Sequence, residues 1–589
     1  MSTLNPITGT LGRKRAKHLL SRLTFGVSKN TIDTFAGYTI AQALSQLFPT
    51  AAAALPARPA WLDGTGEGFE EFNQQGRFKA WWLRQMYADN TSLEKLTFFM
   101  HTVLTTKMET VNNTEAVFWQ NQMLRRYVIN DFANINPTFN RYKQLIEKIC
   151  IDNAMLTFLD GRLNESGNPN ENFGRELFEL YTIGKGPTAG VGDYTNYTED
   201  DIRTAALVLT GWRNNFNFDT TDDEVLPGFP IGTIKNSTLN PNQAIRHDNR
   251  LVKQFSNRFQ SAAFPDHSVR VNAALLNPDG SATRESALDE IRQMIDMVYE
   301  QNQAARYICR KIYRFFVYHD IITAPSTDGT DRVNIEETII APLATTFISN
   351  GFRLQPVFQQ LFSSQHFFDT GGSDSDGSVR NNNVGALIKS PLDVTLGLMK
   401  FFDVPAPAEG SMESTEIFGS IVGNMRSMAL DFMEPFDVAG YDPYHQAPNY
   451  QRNWITVNNL ASRYNFARRF FNGEIVGFGA MGTLFDALTW TKNNANLAAV
   501  ATDTQAFVQE VLRYTAGLNE LNTEITQERL NFFESELLKL GRAFVADPTD
   551  IAQLRFYWTF QWNNNTPDAN GMLIDFYNAV FQSPEYQLG

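Results

Sequence analysis

The clearest structural signal in the chain lies in the run Asn168-Pro169-Asn170-Glu171-Asn172-Phe173-Gly174-Arg175-Glu176-Leu177-Phe178-Glu179-Leu180-Tyr181-Thr182-Ile183-Gly184. Asn168 is a favoured N-cap residue, Pro169 suits the first helical position, and Gly184 supplies a C-terminal stop. Apolar residues recur at helical spacing along one side: Phe173, Leu177, Leu180 and Tyr181. The run therefore predicts a helix over 169–183 with one face against a core.

The same kind of pattern continues through most of the chain. Thr198 begins another predicted helix, with Asp201 in the position of a capping box and an end at Gly211. Alternating strand patterns are scarce, whereas Asn, Asp, Gly, Pro and Ser concentrate in 213–245 and 370–383. We predict an all-α fold: a large multi-helical body with irregular loop insertions.

The pattern divides the chain into five predicted segments. They are N-terminal helices and a linker at 1–60, a helical core at 61–212, a loop insertion at 213–284, a helical segment at 285–369 and a C-terminal helical region at 370–589.

Composition excludes several classes of protein. The 589 residues carry 50 Lys+Arg and 64 Asp+Glu, a formal charge of −14, which argues against a dedicated nucleic-acid binder. Hydrophobic residues make up 43%, enough for a sizeable core. The two cysteines, Cys150 and Cys309, build neither a disulfide framework nor a cysteine-rich zinc site. We expect no transmembrane segment, and residues 1–12 show no signal-peptide pattern.

The first candidate site residues are Glu94 and His101. They lie seven residues apart on one predicted helix, two turns along the same side. A carboxylate and an imidazole so placed can be joint metal ligands, or a base and the group that orients it. The structural alternative is that Thr91 and Glu94 form a capping box, so that Glu94 only fixes the start of the helix.

Arg175 and Glu176 are the next candidates. Glu176 borders the apolar stripe of the 169–183 helix, so we expect Glu176 and Arg175 to point inward or towards a cleft rather than to bulk water, with Glu176 partly buried. A buried carboxylate is costly without a partner, and the candidate partners are His101, Arg84 and Arg22.

His247 and Asp248 form the last candidate pair, in a polar loop with Lys253 five residues on. Metal phosphohydrolases use such pairs together with further ligands that cannot be placed in this sequence. The structural alternative is a loop histidine hydrogen-bonded to its neighbour. Phosphate-binding loops, serine-nucleophile elbows and His-Glu-x-x-His zinc helices are absent from the sequence.

Taken together, the motifs resemble those of the bacterial DUF1800 family, a domain of unknown function. The matching segments run in order along nearly the whole chain: His18–Gly26, Trp81–Met86, Glu94–His101, Asn170–Gly184, Thr198–Trp212, His247-Asp248 with Lys253, Tyr307–Val317 and Ser583–Tyr586. The resemblance implies a mainly helical fold. It also implies a partner encoded nearby, of a family similar to secreted sulfatases or phosphatases, and an envelope or extracellular location as one option.

The chain departs from the family pattern in two places. The family usually shows Trp-His-Asn-His-Phe where this chain has Met100-His101-Thr102-Val103-Leu104, so the second histidine is missing. A Pro-rich Gly-Trp motif is also altered here, to Pro435-Phe436-Asp437-Val438-Ala439-Gly440-Tyr441. If the paired histidines were metal ligands, this member has lost one.

Two functions remain open at the level of sequence. The first, which the missing histidine favours, is a non-catalytic assembly or partner protein of a bacterial envelope or extracellular complex. The alternative is a hydrolase or metal-assisted enzyme, whose cleft would gather these residues: Glu94, His101, Arg175, Glu176, His247 and Asp248. The sequence assigns no cofactor and no metal.

Overall fold

The structure, a computed structural model, is mainly helical. It describes residues 3–63, 71–191, 193–222, 226–238, 240–319, 321, 334–369, 387–475, 484–517 and 524–589. Helices account for 58% and strands for 6% of the chain. The predicted all-α class is therefore correct for the body but too strict, because short strands are also present.

The helices of the first half are α1 (Gly12–Leu23), α2 (Lys29–Ala36), α3 (Ile40–Leu47), α4 (Glu71–Ala88), α5 (Leu93–Val103), α6 (Met108–Val111), α7 (Thr114–Phe132), α8 (Tyr142–Ile149), α9 (Asn153–Phe158), α10 (Glu171–Glu176), α11 (Glu199–Val208), α12 (Arg284–Tyr299) and α13 (Asn302–Phe316). Those of the second half are α14 (Ala341–Ser349), α15 (Gln355–Ser363), α16 (Pro391–Phe401), α17 (Met412–Ser427), α18 (Asp442–His445), α19 (Val457–Phe471), α20 (Ala487–Asn493), α21 (Ala495–Val500), α22 (Thr504–Thr515), α23 (Gln527–Leu537), α24 (Ile551–Asn563), α25 (Pro567–Phe581) and α26 (Pro584–Gln587). None of these described helices combines the length and apolarity needed to cross a bilayer.

The strands lie between α10 and α12. They are β1 (Thr188–Gly190), β2 (Asp193–Tyr194), β3 (Trp212–Arg213), β4 (Thr221–Asp222), β5 (Phe229–Pro230), β6 (Thr233–Ile234), β7 (Val252–Gln254) and β8 (Ser268–Arg270). They form four antiparallel pairs, β1–β2, β3–β6, β4–β5 and β7–β8. Much of the predicted 213–245 insertion thus folds into short hairpins, which suits a segment rich in turn-forming residues. The predicted loop at 370–383 lies outside the described residues.

The helix predicted over 169–183 exists but begins later. Asn170, rather than Asn168, is the N-cap, because its side chain accepts from Asn172 N–H while Asn168 bridges back to Glu165. The second predicted start is confirmed: Thr198 and Asp201 form a reciprocal capping box at the head of α11.

The hydrophobic core is a single cluster that includes residues from both ends of the chain. Helix α5 lies inside it, with every residue from Glu94 to Val103 buried, and packs against α7 and α4. Phe99 contacts the aromatic rings of Phe315 and Phe316 on α13. The division of the chain into five segments stays a prediction.

Candidate functional site

Glu94 forms a buried ion pair with Arg125 of α7. The Arg125 Nε donates to Glu94 Oε1 at 2.7 Å, and Nη2 donates to Oε2 at 2.9 Å. Trp82 Nε1 also donates to Oε2 at 2.8 Å, and neither charged side chain is more than 5% exposed. The carboxylate therefore ties α4, α5 and α7 together, and its hydrogen-bonding capacity is used within the core.

The predicted capping box of Thr91 and Glu94 is replaced by another cap. Helix α5 begins at Leu93, and the Asp89 carboxylate accepts a hydrogen bond from Glu94 N–H at 2.8 Å. A cap at Thr91 places the helix start at Ser92, one residue before the observed start, and the Thr91–Glu94 capping box is wrong. The reason is that the Glu94 side chain turns inward to Arg125 instead of back to its own backbone.

His101 lies in the last turn of α5 and contacts Tyr441. The Tyr441 hydroxyl accepts from Met433 N–H at 2.9 Å and lies 3.2 Å from His101 Nε2. Burial lowers the pKa of His101 to about 3, so the ring is neutral and shares a hydrogen bond with the Tyr441 hydroxyl at Nε2. His101 thereby anchors the segment around Tyr441 to the core.

His247 and Asp248 belong to a separate buried network. The His247 Nε2 lies 3.1 Å from Glu290 Oε1, and its Nδ1 lies 3.0 Å from the Thr210 carbonyl oxygen. The Lys253 ammonium donates to Glu290 Oε2 and, at 2.8 Å, to the Asp248 carbonyl. The predicted bond between His247 and its neighbour is thus wrong: the partner is a glutamate on α12. No described contact joins this network to Glu94, His101 or Glu176.

Arg175 and Glu176 differ although they are adjacent on α10. Arg175 grips Glu199 of α11 through Nη1 and Nη2, both at 2.7 Å, and this pairing raises the Arg175 pKa. Glu176 is partly buried, as predicted, yet none of the described residues donates a hydrogen bond to its carboxylate. Burial raises the pKa of Glu176 to about 7, and the negative charges of Glu179 and Asp437 add to the effect.

The partners predicted for Glu176 are engaged elsewhere. His101 is bound to Tyr441, Arg84 to Pro407 and Glu409, and Arg22 to Gly589. The prediction that Glu176 has a cationic or hydrogen-bonding partner is therefore wrong for the described residues. Such a carboxylate is available for a ligand or a proton.

The helix changes type immediately after Glu176. Residues Leu177–Thr182 form a π-helix, and the Thr182 hydroxyl donates to the Leu177 carbonyl at 2.7 Å. π-Helical turns are rare and are frequently found at functional sites. Gly184 ends the element with φ +74°, and a Cβ there would lie 2.6 Å from the Tyr307 ring. Only glycine lets α13 approach this turn so closely.

Three side chains that the sequence analysis did not select converge near Glu176. We call Asp437, Asp442 and His445 the Asp–His cluster; their ligand atoms lie within 4.8 Å of one another. The His445 Nε2 is 3.8 Å from Asp437 Oδ1 and 3.9 Å from Asp442 Oδ1. This nitrogen is buried and makes no hydrogen bond with the described residues. The cluster thus presents one imidazole nitrogen to two carboxylates.

The backbone holds the Asp–His cluster against α5. Gly440 has φ +110°, and a Cβ there would lie 3.0 Å from the Thr105 hydroxyl, so the loop rests directly on the end of α5. Asp442 and His445 lie three residues apart on α18, which places them on one side of that turn. Burial lowers the pKa of His445, and a hydrogen bond between its ring and the Gly440 carbonyl opposes that shift.

Lys311 of α13 lies within electrostatic reach of His445, whose pKa its charge lowers. Burial, followed by the positive charge of Arg314, lowers the pKa of Lys311 itself to about 7. The Lys311 ammonium lies 5.1 Å from the centre of the Tyr307 ring and forms no hydrogen bond with a described residue. Tyr307 in turn feels the charge of Glu176, so these groups share one neighbourhood.

An open groove of about 970 Å³ borders the Asp–His cluster through Asp442. Its walls combine exposed aromatic rings with charges of both signs; they include Phe72, Lys79, Lys107, Arg426, Glu434 and Phe436. Phe72 is 78% exposed and Phe436 is 81% exposed. The groove has room for a substrate or a segment of another molecule.

Sequence reasoning missed the Asp–His cluster because its spacing, Asp-x₄-Asp-x₂-His, is common in unrelated loops. One usable signal was present, since Asp437 lies in the segment Pro435–Tyr441 that carries the altered family motif. The proximity of this loop to Glu176, more than 250 residues earlier, is visible only in the fold.

Comparison with known families gives one match, to the family described as "Protein of unknown function (DUF1800)", over residues 18–588. Comparison with curated proteins and with solved structures gives no match.

Proposed function

We propose that this chain, which belongs to the DUF1800 family of proteins of unknown function, is a metal-assisted hydrolase whose reaction centre is the Asp–His cluster together with Glu176. The observation that carries the proposal is the position of His445 Nε2, buried, without a hydrogen bond and facing Asp437 and Asp442. The proposal keeps Glu176 from the sequence-based candidates and assigns structural roles to Glu94, His101, Arg175, His247 and Asp248.

A divalent cation fits the Asp–His cluster. Zinc lies about 2.0–2.2 Å from histidine nitrogen and carboxylate oxygen, so two ligand atoms on one ion are separated by roughly 3–4 Å. The observed separations from His445 Nε2, 3.8 and 3.9 Å, fall in that range. They are too long for hydrogen bonds. Because the Gly440 carbonyl takes one ring N–H, the lone pair is left at Nε2, the form in which histidine binds a metal.

The neighbouring groups supply acid–base chemistry. With pKa values of about 7, Glu176 and Lys311 each exchange protons near neutral pH. In the proposed reaction the oxygen of a water molecule attacks the electrophilic carbon or phosphorus of the substrate, and Glu176 accepts the water proton. The bond to the leaving group breaks, and the Lys311 ammonium gives that group a proton. A bound cation would lower the pKa of the attacking water.

The first test measures metal binding by calorimetry on the full chain with Zn²⁺ or Mn²⁺. We expect one ion per chain, with affinity at least tenfold weaker in Asp442→Asn and in His445→Ala. Asp200→Asn is the control, because Asp200 is 86% exposed on another surface. Unchanged affinity in both cluster variants, or no binding at all, would remove the metal from the proposal.

The second test measures hydrolysis of chromogenic carboxylic and phosphoric esters. Glu176→Gln is expected to lower kcat by a hundredfold or more while leaving metal affinity within about twofold, because it removes a base and not a ligand. If metal binds and no ester, amide or phosphoester is cleaved, the cluster is a binding site without hydrolytic activity.

A second candidate function is the non-catalytic one, and the exposed rings of Phe72 and Phe436 favour it. Aromatic rings exposed beside a groove are typical contact residues for another protein. The resemblance suggests a sulfatase- or phosphatase-like partner in the envelope or outside the cell. In a pull-down from native extract, the double variant Phe72→Ala with Phe436→Ala would lose the copurifying partner. The Asp–His cluster variants Asp442→Asn and His445→Ala would keep that partner.

A further inference from the structure

A second cavity, lined by apolar groups together with several charged side chains, shares no lining residue with the groove. It consists of two adjoining spaces of about 60 and 30 Å³, which share Ser21, Lys389 and Asp393 as walls. We call them together the cationic chamber. Its walls come from α1, from the start of α16 and from α26, so it joins the two ends of the chain.

Positive charge dominates the cationic chamber. Lys17 lines the larger space, Arg22 and Lys95 line the smaller one, and Lys389 lines both. Arg463 of α19 lies just behind, with its Nη2 on the Lys389 carbonyl at 2.6 Å. Cations gathered in a poorly solvated space repel one another unless negative charge balances them.

The carboxylate of Asp393 is already engaged. Its Oδ1 accepts from the Lys95 ammonium at 2.5 Å, and its Oδ2 caps α16 by accepting from Ser390 N–H and hydroxyl at 3.1 and 2.7 Å. The Gly589 oxygen at the smaller space accepts from Arg22 at 2.9 Å, and neither Lys17 nor Lys389 forms an ion pair with a described residue. Lys17 forms no hydrogen bond with a described residue, and Lys389 reaches only the Tyr586 carbonyl at 2.6 Å and the Tyr586 ring.

Burial and mutual repulsion lower the pKa values of the two lysines that line the larger space of the cationic chamber. Burial, followed by the charge of Arg22, lowers the pKa of Lys17 to about 8. Burial lowers the pKa of Lys389 well below its usual value, with the charge of Lys17 next in importance. The Nη1 of Arg463, a residue 1% exposed, is buried and has no hydrogen-bond partner among the described residues.

We propose that the cationic chamber binds a phosphate-sized oxyanion between Lys17 and Lys389. The larger space, of about 60 Å³, holds several water-sized volumes, which is room for a phosphate, a sulfate or a small carboxylate. Tyr586 lines the same space and offers a hydroxyl donor, whereas the Ser21 hydroxyl donates to the His18 carbonyl of its own helix at 2.9 Å. Such an anion would link the first helix to the last, because its donors come from both.

The test is titration of the full-length protein with inorganic phosphate, sulfate and malonate at constant ionic strength set by sodium chloride. We expect a saturable rise in Tm with the oxyanions and none with chloride, because a ligand of the folded state stabilises it by mass action. Calorimetry gives the Kd. The response to malonate against phosphate distinguishes a carboxylate from a phosphate ligand.

Variants locate the site. Lys17→Met should weaken the Kd about tenfold or more, the usual effect of losing one charged donor. Lys17→Arg should restore most of the affinity. Lys539→Met is the control, since Lys539 is 60% exposed elsewhere. Equal affinity in Lys17→Met and in Lys539→Met, or a Tm that follows ionic strength alone, would overturn the proposal. Because Lys17 makes no hydrogen bond with the part of the chain that the structure describes, its replacement tests the ligand rather than folding.

Discussion

The Oδ1 of Asp437 and the Nε2 of His445 face each other at 3.8 Å, with no hydrogen bond to that nitrogen from the described residues. A lone pair and a negative charge at this distance repel one another, and a metal cation or a proton between them would relieve that repulsion. The same loop carries Tyr441, which binds His101 in the core. His101, which is buried in the core, therefore positions the segment that carries His445.

Replacing Glu94 should affect stability more than chemistry. Glu94→Ala leaves the Arg125 guanidinium buried and unpaired, and we expect a loss of about 3–5 kcal/mol in the free energy of unfolding, measured with urea. Glu413→Ala, at an exposed position of α17, should change the same quantity by no more than about 0.5 kcal/mol. A catalytic Glu94 would give the opposite result: lost activity at unchanged stability.

His101 should make stability depend on acidity. Its folded pKa of about 3 lies below the value of 6.5 that a free histidine has, so between these values the unfolded chain binds more protons. Stability therefore falls as pH falls below 6.5. His101→Phe has no titrating group at this position. Between pH 6.5 and 4 the free energy of unfolding of the wild type should therefore fall by about 2–3 kcal/mol more than that of the variant. Parallel pH curves for the two proteins would show that His101 has the same pKa in the folded and the unfolded chain.

Glu176 should make the stability of the fold decrease as pH rises, which is the opposite of the effect of His101. Its pKa is about 7 in the fold and 4.5 in an unperturbed chain, so over that window the folded protein binds more protons and stability falls as pH rises. Glu176→Gln should gain about 1 kcal/mol relative to the wild type between pH 5 and 8, a value reduced for partial solvent exposure. Glu413→Gln is the control. From the sequence, with a partner for Glu176 expected, removal of this side chain would instead destabilise the protein; none of the described residues is such a partner.

Gly184→Ala should destabilise the turn against which Tyr307 of α13 packs. Its Cβ would enter the Tyr307 ring, and its positive φ adds backbone strain, so we expect a loss of about 1–3 kcal/mol in unfolding free energy. Combining Gly184→Ala with Tyr307→Ala removes the ring that the new Cβ would meet, so that only the backbone strain at position 184 remains. A double variant no better than the sum of the two single losses would show that the ring contact is unimportant.

Sequence signals predicted what is local. The capping box of Thr198 and Asp201 was found because its two residues lie three apart and satisfy each other. The partner of His101 could not be found in this way, since Tyr441 lies 340 residues further along the chain. Arg125, only 31 residues from Glu94, was missed for a related reason: nothing in the helical pattern states which faces of α5 and α7 meet. Ion pairs across a core are fixed by packing, and packing leaves no short-range signature.

The π-helix at Leu177–Thr182 shifts the angular phase of everything that follows it. A wider turn takes up one more residue than an α-helical turn, which rotates later side chains by about 100° relative to earlier ones. In a continuous α-helix Glu176 and Tyr181, five residues apart, would lie about 140° apart, whereas the π repeat brings residues five apart to nearly the same face. The charge of Glu176 accordingly acts on Tyr181. Deleting a single residue such as Leu180 would restore a regular α-helical repeat and rotate Tyr181 by about 100° relative to Glu176. An extra residue in a helix, usually regarded as a defect, here decides which side chain of the next turn lies beside a carboxylate.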